Sequence, residues 1–253
     1  MVFKTLLFRV KDFFALFLLC SCVGESDSTL TDFEGNLRGG LGEKELSLTF
    51  DDGPTKHTAS ILDTLSDYGV KATFFVTGEN ALKNVELMNR ISNEGHLVAN
   101  HTRTHPSMPN LPAAENIRQV LETHRIIRPY VDKEAFFFRA PYGAWRLWIA
   151  DVLNDAGLDF YVGNIFWDIG GVLNERYAAD WNCWSTGISP FECGRRYLNE
   201  IDDRKSGIVL FHDVTANTSR MLKYILPKVL DKGYKISRLD EIAKYKQKLG
   251  KKR

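Results

Sequence analysis

Apolar runs of strand length alternate with stretches of helical spacing from about residue 45 to residue 247, which predicts an α/β fold with a parallel sheet covered by helices. Barrel and open doubly wound sheets both fit that alternation. Two observations favour the barrel. Asp51, His101, Arg139 and His212 each follow directly on an apolar run; on parallel strands they would crowd one end of the sheet, where barrel enzymes build their sites. No Gly-rich phosphate loop follows the first run, which weighs against a nucleotide-binding open sheet.

The elements follow in order. Residues 46–50 are apolar and read as a strand. Residues 57–68 carry Ile61, Leu62 and Leu65 on one helical face, and Gly69 ends that helix. A buried-strand run at 72–76 precedes a helix at 84–93, marked by Val85, Met88 and Ile91 and stopped by Gly95. Residues 97–100 are a short strand, 112–130 a longer helix, 135–138 a strand and 143–156 a helix. One or two strands are expected at 159–167, then an irregular aromatic insertion to about residue 190 and a helix at 191–201. Residues 208–211 form a strand ending in His212 and Asp213. The spacing of Met221, Leu222, Ile225, Leu226 and Val229 predicts a helix over 219–232, with Pro227 a candidate kink. A last strand at 234–236 and a last helix at 239–247 complete the pattern.

A chain of 253 residues can bury one substantial core, here assigned to residues 44–243. Its net charge of +1 gives no general attraction for nucleic acid. Residues 1–22 lie outside that core. Lys4, Arg9 and Lys11 precede the apolar stretch 13–19, too short for a comfortable membrane span. The following Leu19-Cys20-Ser21-Cys22 resembles a bacterial lipoprotein signal with Cys22 acylated; ordinary cleavage near Ser21 and an uncleaved anchor are the alternatives. All three place the domain outside the cytoplasm, in the cell envelope or beyond it, with the lipid anchor its only membrane contact. Residues 23–43 read as a flexible tether and the basic residues of 244–253 as a solvated tail. Cys183 and Cys193 remain as an even pair in an oxidising compartment, so a local disulfide is expected. A monomer is expected.

The chemistry centres on Asp51-Asp52-Gly53-Pro54. Two adjacent carboxylates at a bent strand end repel unless something balances them, and a metal ion does so. One carboxylate then binds the ion and the other is left as a base. His101 and His105 are four apart, a spacing that lets two imidazoles converge on one ion. With Asp52 they make a three-ligand set with open positions, as catalytic sites have. The same set also suits iron(II) oxygenases, so the ligands alone leave the reaction open.

Five stretches, in order, resemble the polysaccharide deacetylase family (the NodB-homology domain, carbohydrate esterase family 4): residues 49–54, 101–105, 139–142, Asp180-Trp181 and 210–212. The resemblance implies a distorted (β/α) barrel of about seven repeats. It also implies a divalent metal, zinc first with cobalt as an alternative, and removal of acetyl groups from an acetylated polysaccharide or oligosaccharide. By the same resemblance Asp52, His101 and His105 hold the metal, Asp51 is the base and His212 the acid. Arg139 pairs with Asp51, and the Tyr142 amide holds the oxyanion. Leu210 lines the acetyl pocket, with Pro141 and Trp181 also against substrate. The fourth stretch departs from the family pattern, because Trp167-Asp168 comes first and Asp180-Trp181 only after an insertion. Either Asp168 or Asp180 can meet Arg139, and Asp180 is preferred; Asp213 is a candidate orienter of His212. Trp167, Trp181 and Trp184 are candidates for an aromatic wall, which the Cys183–Cys193 loop would support. An O-acetyl esterase and a non-catalytic glycan-binding lipoprotein are the alternative functions.

Overall fold

The computed structural model describes residues 33–251; the expected signal and Cys22 lie outside them. The central strand is β2 (Glu45–Asp51). It pairs in parallel with β3 (Thr73–Val76) on one edge and β6 (Gly207–His212) on the other. β4 (Leu97–Asn100) pairs with β3, and β7 (Lys235–Ile236) pairs with the start of β2. Single parallel bridges continue the ring, from Asn100 to Phe138, from Phe137 to Val162 and from Ile169 back to Val209 of β6. The ring is thus a closed, distorted (β/α) barrel, in which two segments, 137–138 and 162–169, pair through little more than bridges. The strand expected at 135–138 is reduced to those two bridges.

Alternation along β2 divides its side chains between two environments. Leu46, Leu48 and Phe50 join the apolar layer under the helices, packing with α1 (Thr58–Asp67) and α8 (Ala216–Asp231). Ser47, Thr49 and Asp51 are also buried but polar, and Thr49 and Asp51 meet Arg139 there. A second cluster gathers Phe75, Leu97, Ala99, Phe137, Val162 and Ile165 with Leu239, Ile242 and Tyr245 from the C-terminal segment.

Helices α3 (Val85–Asn93), α4 (Ala113–Ile127) and α7 (Pro190–Arg204) lie where the spacing predicts. The helix expected over 143–156 starts later, as α5 (Leu147–Leu153), because Tyr142 and Gly143 adopt left-handed φ of 59° and 61° and form a turn. Two helices lie where none was expected. α2 (Gly78–Lys83) is a short helix after β3, and α6 (Asp180–Ser185) lies within the aromatic insertion.

Both expected tails need correction. Within the expected tether, β1 (Phe33–Leu37) pairs in parallel with β5 (Gly163–Ile165). Only its end residues, Phe33 and Leu37, are apolar, so it offers no apolar alternation; backbone pairing and the buried Leu37 hold it. Most of the expected basic tail is α9 (Ala243–Gly250), with Tyr245 fully buried. Lys244 Nζ donates to Arg38 O at 2.8 Å and Tyr245 Oη to Gly39 O at 3.2 Å, so α9 clasps the segment after β1.

Candidate active site

The parallel strands deliver their C-terminal ends to one place. In the β2–β6 register Asp51 lies opposite His212, and in the β3–β4 register Val76 lies opposite Asn100, the residue before His101. Asp52 leaves the strand with φ 76°, a left-handed conformation that Asp tolerates better than most residues. Thr102, His105 and Tyr142 also have positive φ (68°, 60° and 59°), so local strain collects here, as it does at functional sites. The next residue, Gly53, has no alternative, because a Cβ there would fall inside the Asp213 carboxylate.

Asp52, His101 and His105 each bring one ligand atom, and these atoms lie within 4.8 Å of one another. Asp52 Oδ1 is 3.0 Å from His105 Nε2 and 3.4 Å from His101 Nε2. His101 Nδ1 lies 2.7 Å from Arg139 O. A carbonyl only accepts, so Nδ1 carries the proton and Nε2 keeps its lone pair for the site. Among the described residues Asp52 Oδ1 is buried and has no hydrogen-bond partner. Burial alone would raise the Asp52 carboxyl, but His101 and His105 outweigh it and hold the group well below the usual carboxylate range. An orphaned anionic oxygen beside two imidazole nitrogens fits a divalent cation.

Asp51 lies beside this triad with its side chain almost wholly buried. Its Oδ1 accepts from Arg139 Nη1 at 2.7 Å, and its Oδ2 is 3.7 Å from His101 Nε2. Arg139 is itself fully buried. It donates through Nη1 to Thr49 Oγ1 at 2.9 Å and through Nε to Ile165 O at 3.1 Å, with its guanidinium over the Phe75 ring. The expected Arg139–Asp51 pair is therefore present, whereas neither acid proposed to meet Arg139 from the fourth stretch hydrogen-bonds it. Asp168 Oδ2 accepts the backbone amides of Gly39 and Ile208.

Asp180 serves His212 instead. Its Oδ1 lies 2.7 Å from His212 Nδ1, and its Oδ2 accepts the His212 amide at 2.7 Å and Thr218 Oγ1 at 3.2 Å. The reason is positional: α6 starts at Asp180 and packs against β6, so its first carboxylate meets the end of that strand. Burial opposes protonation of His212, but the charge and hydrogen bond of Asp180, with Asp52 and Asp51 adding, push it up to about 9. Asp213 does not orient His212. It accepts from Thr58 Oγ1, and burial, with the charges of Asp52 and Asp51, pushes its carboxyl up to about 7.

A cavity of about 350 Å³ opens over these groups. Trp167, Trp181, Trp184, Tyr142, Leu210 and Val214 form its apolar sides, and Asp51, Asp52, His101, His105 and His212 its polar floor. Trp181 is half exposed, and the Tyr142 ring packs edge-on against His105 with centroids 4.5 Å apart. Trp167 stacks on Phe166 at 4.0 Å. Pro141, expected against substrate, is buried and does not line this cavity. The Cys183–Cys193 disulfide is formed and ties α6 to α7, which places Trp181 and Trp184 on a cross-linked segment. Val214 and Gly143 were not expected in the wall. Gly143 is required there because a Cβ would strike the Phe166 ring.

Residues 38–161 match the polysaccharide deacetylase family model. The chain is 32% identical over 212 residues to the peptidoglycan-N-acetylglucosamine deacetylase PgdA of Listeria monocytogenes, covering 82% of this chain and 41% of that protein. It therefore spans about two fifths of the length of that relative. It is 31% identical over 223 residues to a chitooligosaccharide deacetylase of Bradyrhizobium, covering 79% of this chain and 91% of that one. The fold superimposes on the peptidoglycan deacetylase PdaC of Bacillus subtilis with a TM-score of 0.65 at 26% identity, over 83% of this chain and 95% of PdaC. It superimposes equally on BA3943 of Bacillus anthracis, described as a pseudoenzyme, with a TM-score of 0.67 at 26% identity, over 81% of this chain and 67% of that one. The barrel alone therefore does not decide activity; the side chains at its end do. With the Bradyrhizobium relative matched along nearly its whole length and the motif residues gathered at one end of the barrel, the chain belongs to the polysaccharide deacetylase family.

Proposed function

We propose that the chain is a metal-dependent hydrolase that removes acetyl groups from N-acetylhexosamine units of a cell-envelope or extracellular polysaccharide. The observation that carries this is the orphaned Asp52 oxygen beside two histidines, with Asp51 and His212 adjoining the same cavity. Two neutral nitrogens and one carboxylate suit zinc, with cobalt acceptable to the same donors. An ion held by Asp52, His101 and His105 would supply Lewis acidity toward the acetyl carbonyl and the attacking water.

The protein's own residues supply the remaining steps. Asp51, held by Arg139, takes the proton from the attacking water. The Tyr142 amide donates to the developing oxyanion, a contact worth about 3 kcal/mol of barrier. His212 donates its proton to the departing nitrogen. Its Nδ1 is committed to Asp180, so Nε2 serves the substrate, and the raised pKa keeps the ring protonated at neutral pH. Leu210 receives the acetyl methyl, and the tryptophans stack against sugar faces. An amine leaving group needs this proton more than an alcohol does, which favours N-acetyl over O-acetyl substrates.

The site of action is the cell envelope. The disulfide suits an oxidising compartment, and the names of the Listeria and Bacillus subtilis relatives refer to peptidoglycan. No helix among the described residues is long and apolar enough to cross a membrane, and attachment through Cys22 would supply the anchor. The test is acetate release by the zinc-loaded protein from peptidoglycan, from N-acetylglucosamine oligosaccharides and from an O-acetylated xylan, with Asp52→Ala as control. Acetate from the first two, abolished in the control, is expected. Release only from the ester substrate would establish the esterase instead, and oligosaccharide binding without acetate from any of the three would leave a glycan-binding protein.

A further inference from the structure

Two paths run from the segment at 36–39 to the turn at 140–143 beside the aromatic cavity. That segment lies along residues 164–168: Leu37 O accepts from Phe166 N at 2.7 Å, and Gly39 N donates to Asp168 Oδ2 at 3.1 Å. The first path is polar. Asn36 Oδ1 accepts from Asn164 Nδ2 at 2.9 Å, and Asn164 Oδ1 accepts the Ala140 amide at 2.7 Å. Asn164 is fully buried, and the two ends of its amide differ, Oδ1 accepting and Nδ2 donating. A flipped amide would set Nδ2 against the Ala140 N–H, donor against donor. The acceptor on Asn36 therefore fixes which way Asn164 faces, and with it the bond that holds Ala140 just ahead of Tyr142.

The second path is a stack. The Arg38 guanidinium lies 4.3 Å from the centre of the Phe166 ring on one face, and Trp167 covers the other face at 4.0 Å, 10° from parallel. Both rings rest on Gly143, where a Cβ would come within 2.4 Å of Phe166 and 2.9 Å of Trp167. Trp167 lines the cavity, so Arg38 reaches the cavity wall through Phe166. Asn36 and Arg38 are themselves exposed and are not part of the cavity lining. Asn36 lies in β1, ahead of residue 38, where the family match begins.

We propose that Asn36 and Arg38 are positioning residues for the active site, Asn36 acting through Asn164 on the turn that presents the Tyr142 amide and Arg38 acting through Phe166 on Trp167. Their effect on the reaction rests on the deacetylase reading; their effect on the two groups they hold does not. A displaced oxyanion donor slows the chemical step while leaving ground-state binding in place. Loss of the Arg38 cation uncovers one face of Phe166 and lets the ring pair shift on Gly143, which weakens substrate contact rather than chemistry.

The test reads the held groups and the reaction separately, in the full zinc-loaded chain. The variants are Asn36→Ala, Asn36→Asp, which keeps the acceptor, and Arg38→Met, which keeps the stem and loses the cation. Nitrogen-15 labelling of tyrosine reports the Tyr142 amide, and fluorotryptophan labelling reports the Trp167 ring, assigned with Tyr142→Phe and Trp167→Phe. Asn36→Ala should shift and broaden the Tyr142 signal, Arg38→Met should do the same to the Trp167 signal, and Asn36→Asp should match the parent. For acetate release from N-acetylglucosamine oligosaccharides, kcat should fall about tenfold in Asn36→Ala at unchanged KM and recover in Asn36→Asp. In Arg38→Met, KM should rise about threefold at unchanged kcat. The proposal is overturned if both signals stay at their parent positions, even with a lower unfolding midpoint. It is overturned equally if Asn36→Asp is as impaired as Asn36→Ala, or if an active parent and its variants share kcat and KM. Signals that move as expected in a protein that releases no acetate uphold the positioning and refute the deacetylase reading.

Discussion

Replacing Asp180 with Asn tests the coupling between α6 and the end of β6. Asp180 is fully buried and accepts four hydrogen bonds, from the His212 amide and ring, the Trp181 amide and Thr218 Oγ1. The His212 pKa rises from an ordinary 6.5 to about 9 despite burial. At ~1.4 kcal/mol per tenfold change, that rise is worth roughly 3 kcal/mol of preference for the charged ring in the folded state. A group whose folded pKa is raised gives stability that is complete below its unfolded pKa and lost as pH rises through the folded one. His212 therefore contributes fully below about pH 6.5, and its contribution disappears by about pH 9. Chelator-treated protein should lose up to roughly 3 kcal/mol of unfolding free energy across that window. In Asp180→Asn the loss should nearly vanish, with the His212 pKa at or below 6.5. Carbon-13-resolved NMR of the His212 ring reads the pKa, and urea unfolding at a series of pH values reads the stability. An unchanged ring pKa in Asp180→Asn, or an unchanged slope, would refute the reasoning.

Arg139→Met leaves Asp51 buried without its cation and should cost about 3–5 kcal/mol in urea unfolding; adding Asp51→Asn should restore part of it. Gly53→Ala drives a methyl into the Asp213 carboxylate and should cost about 1–3 kcal/mol or more, and a paired Asp213→Ala should be more stable than Gly53→Ala alone. Converting Cys183 and Cys193 to Ser should lower stability by about 2–4 kcal/mol. If the cross-link positions the tryptophan wall, the same change raises KM for polymer and spares short substrates. Tyr245→Ala should cost about 3–5 kcal/mol, whereas a frayed tail would show no change on denaturation.

The parts of the fold legible in the sequence were those held by local pattern. Strands β3, β4 and β6 are largely apolar runs because helices cover one side and the barrel interior the other, and β2 alternates Leu46, Leu48 and Phe50 with buried polar residues. The residues that end them sit at the proposed metal site, so strand-end chemistry pointed to Asp51, Asp52, His101 and His212. What escaped was held by contacts distant in sequence. β1 has no apolar alternation and is stabilised by pairing with a strand over a hundred residues away. α2 is six residues long, too short for a periodic signal. The Asp180–His212 pair spans 32 residues and depends on where the insertion folds back, so no local feature separated it from an Asp180–Arg139 pair. Asp213 adjoins His212 in sequence, but on adjacent positions of an extended chain the two side chains diverge.

The clasp between α9 and the stretch after β1 brings the beginning and the end of the barrel to one corner. Lys244 and Tyr245 hold the carbonyls of Arg38 and Gly39, and α9 has only five further residues after Tyr245. Among the described residues the stretch after β1 and the last helix therefore lie against each other. A circular permutant that joins the stretch after β1 to the end of α9 through a short linker, with new ends opened in a surface loop away from the proposed metal triad, suits this arrangement.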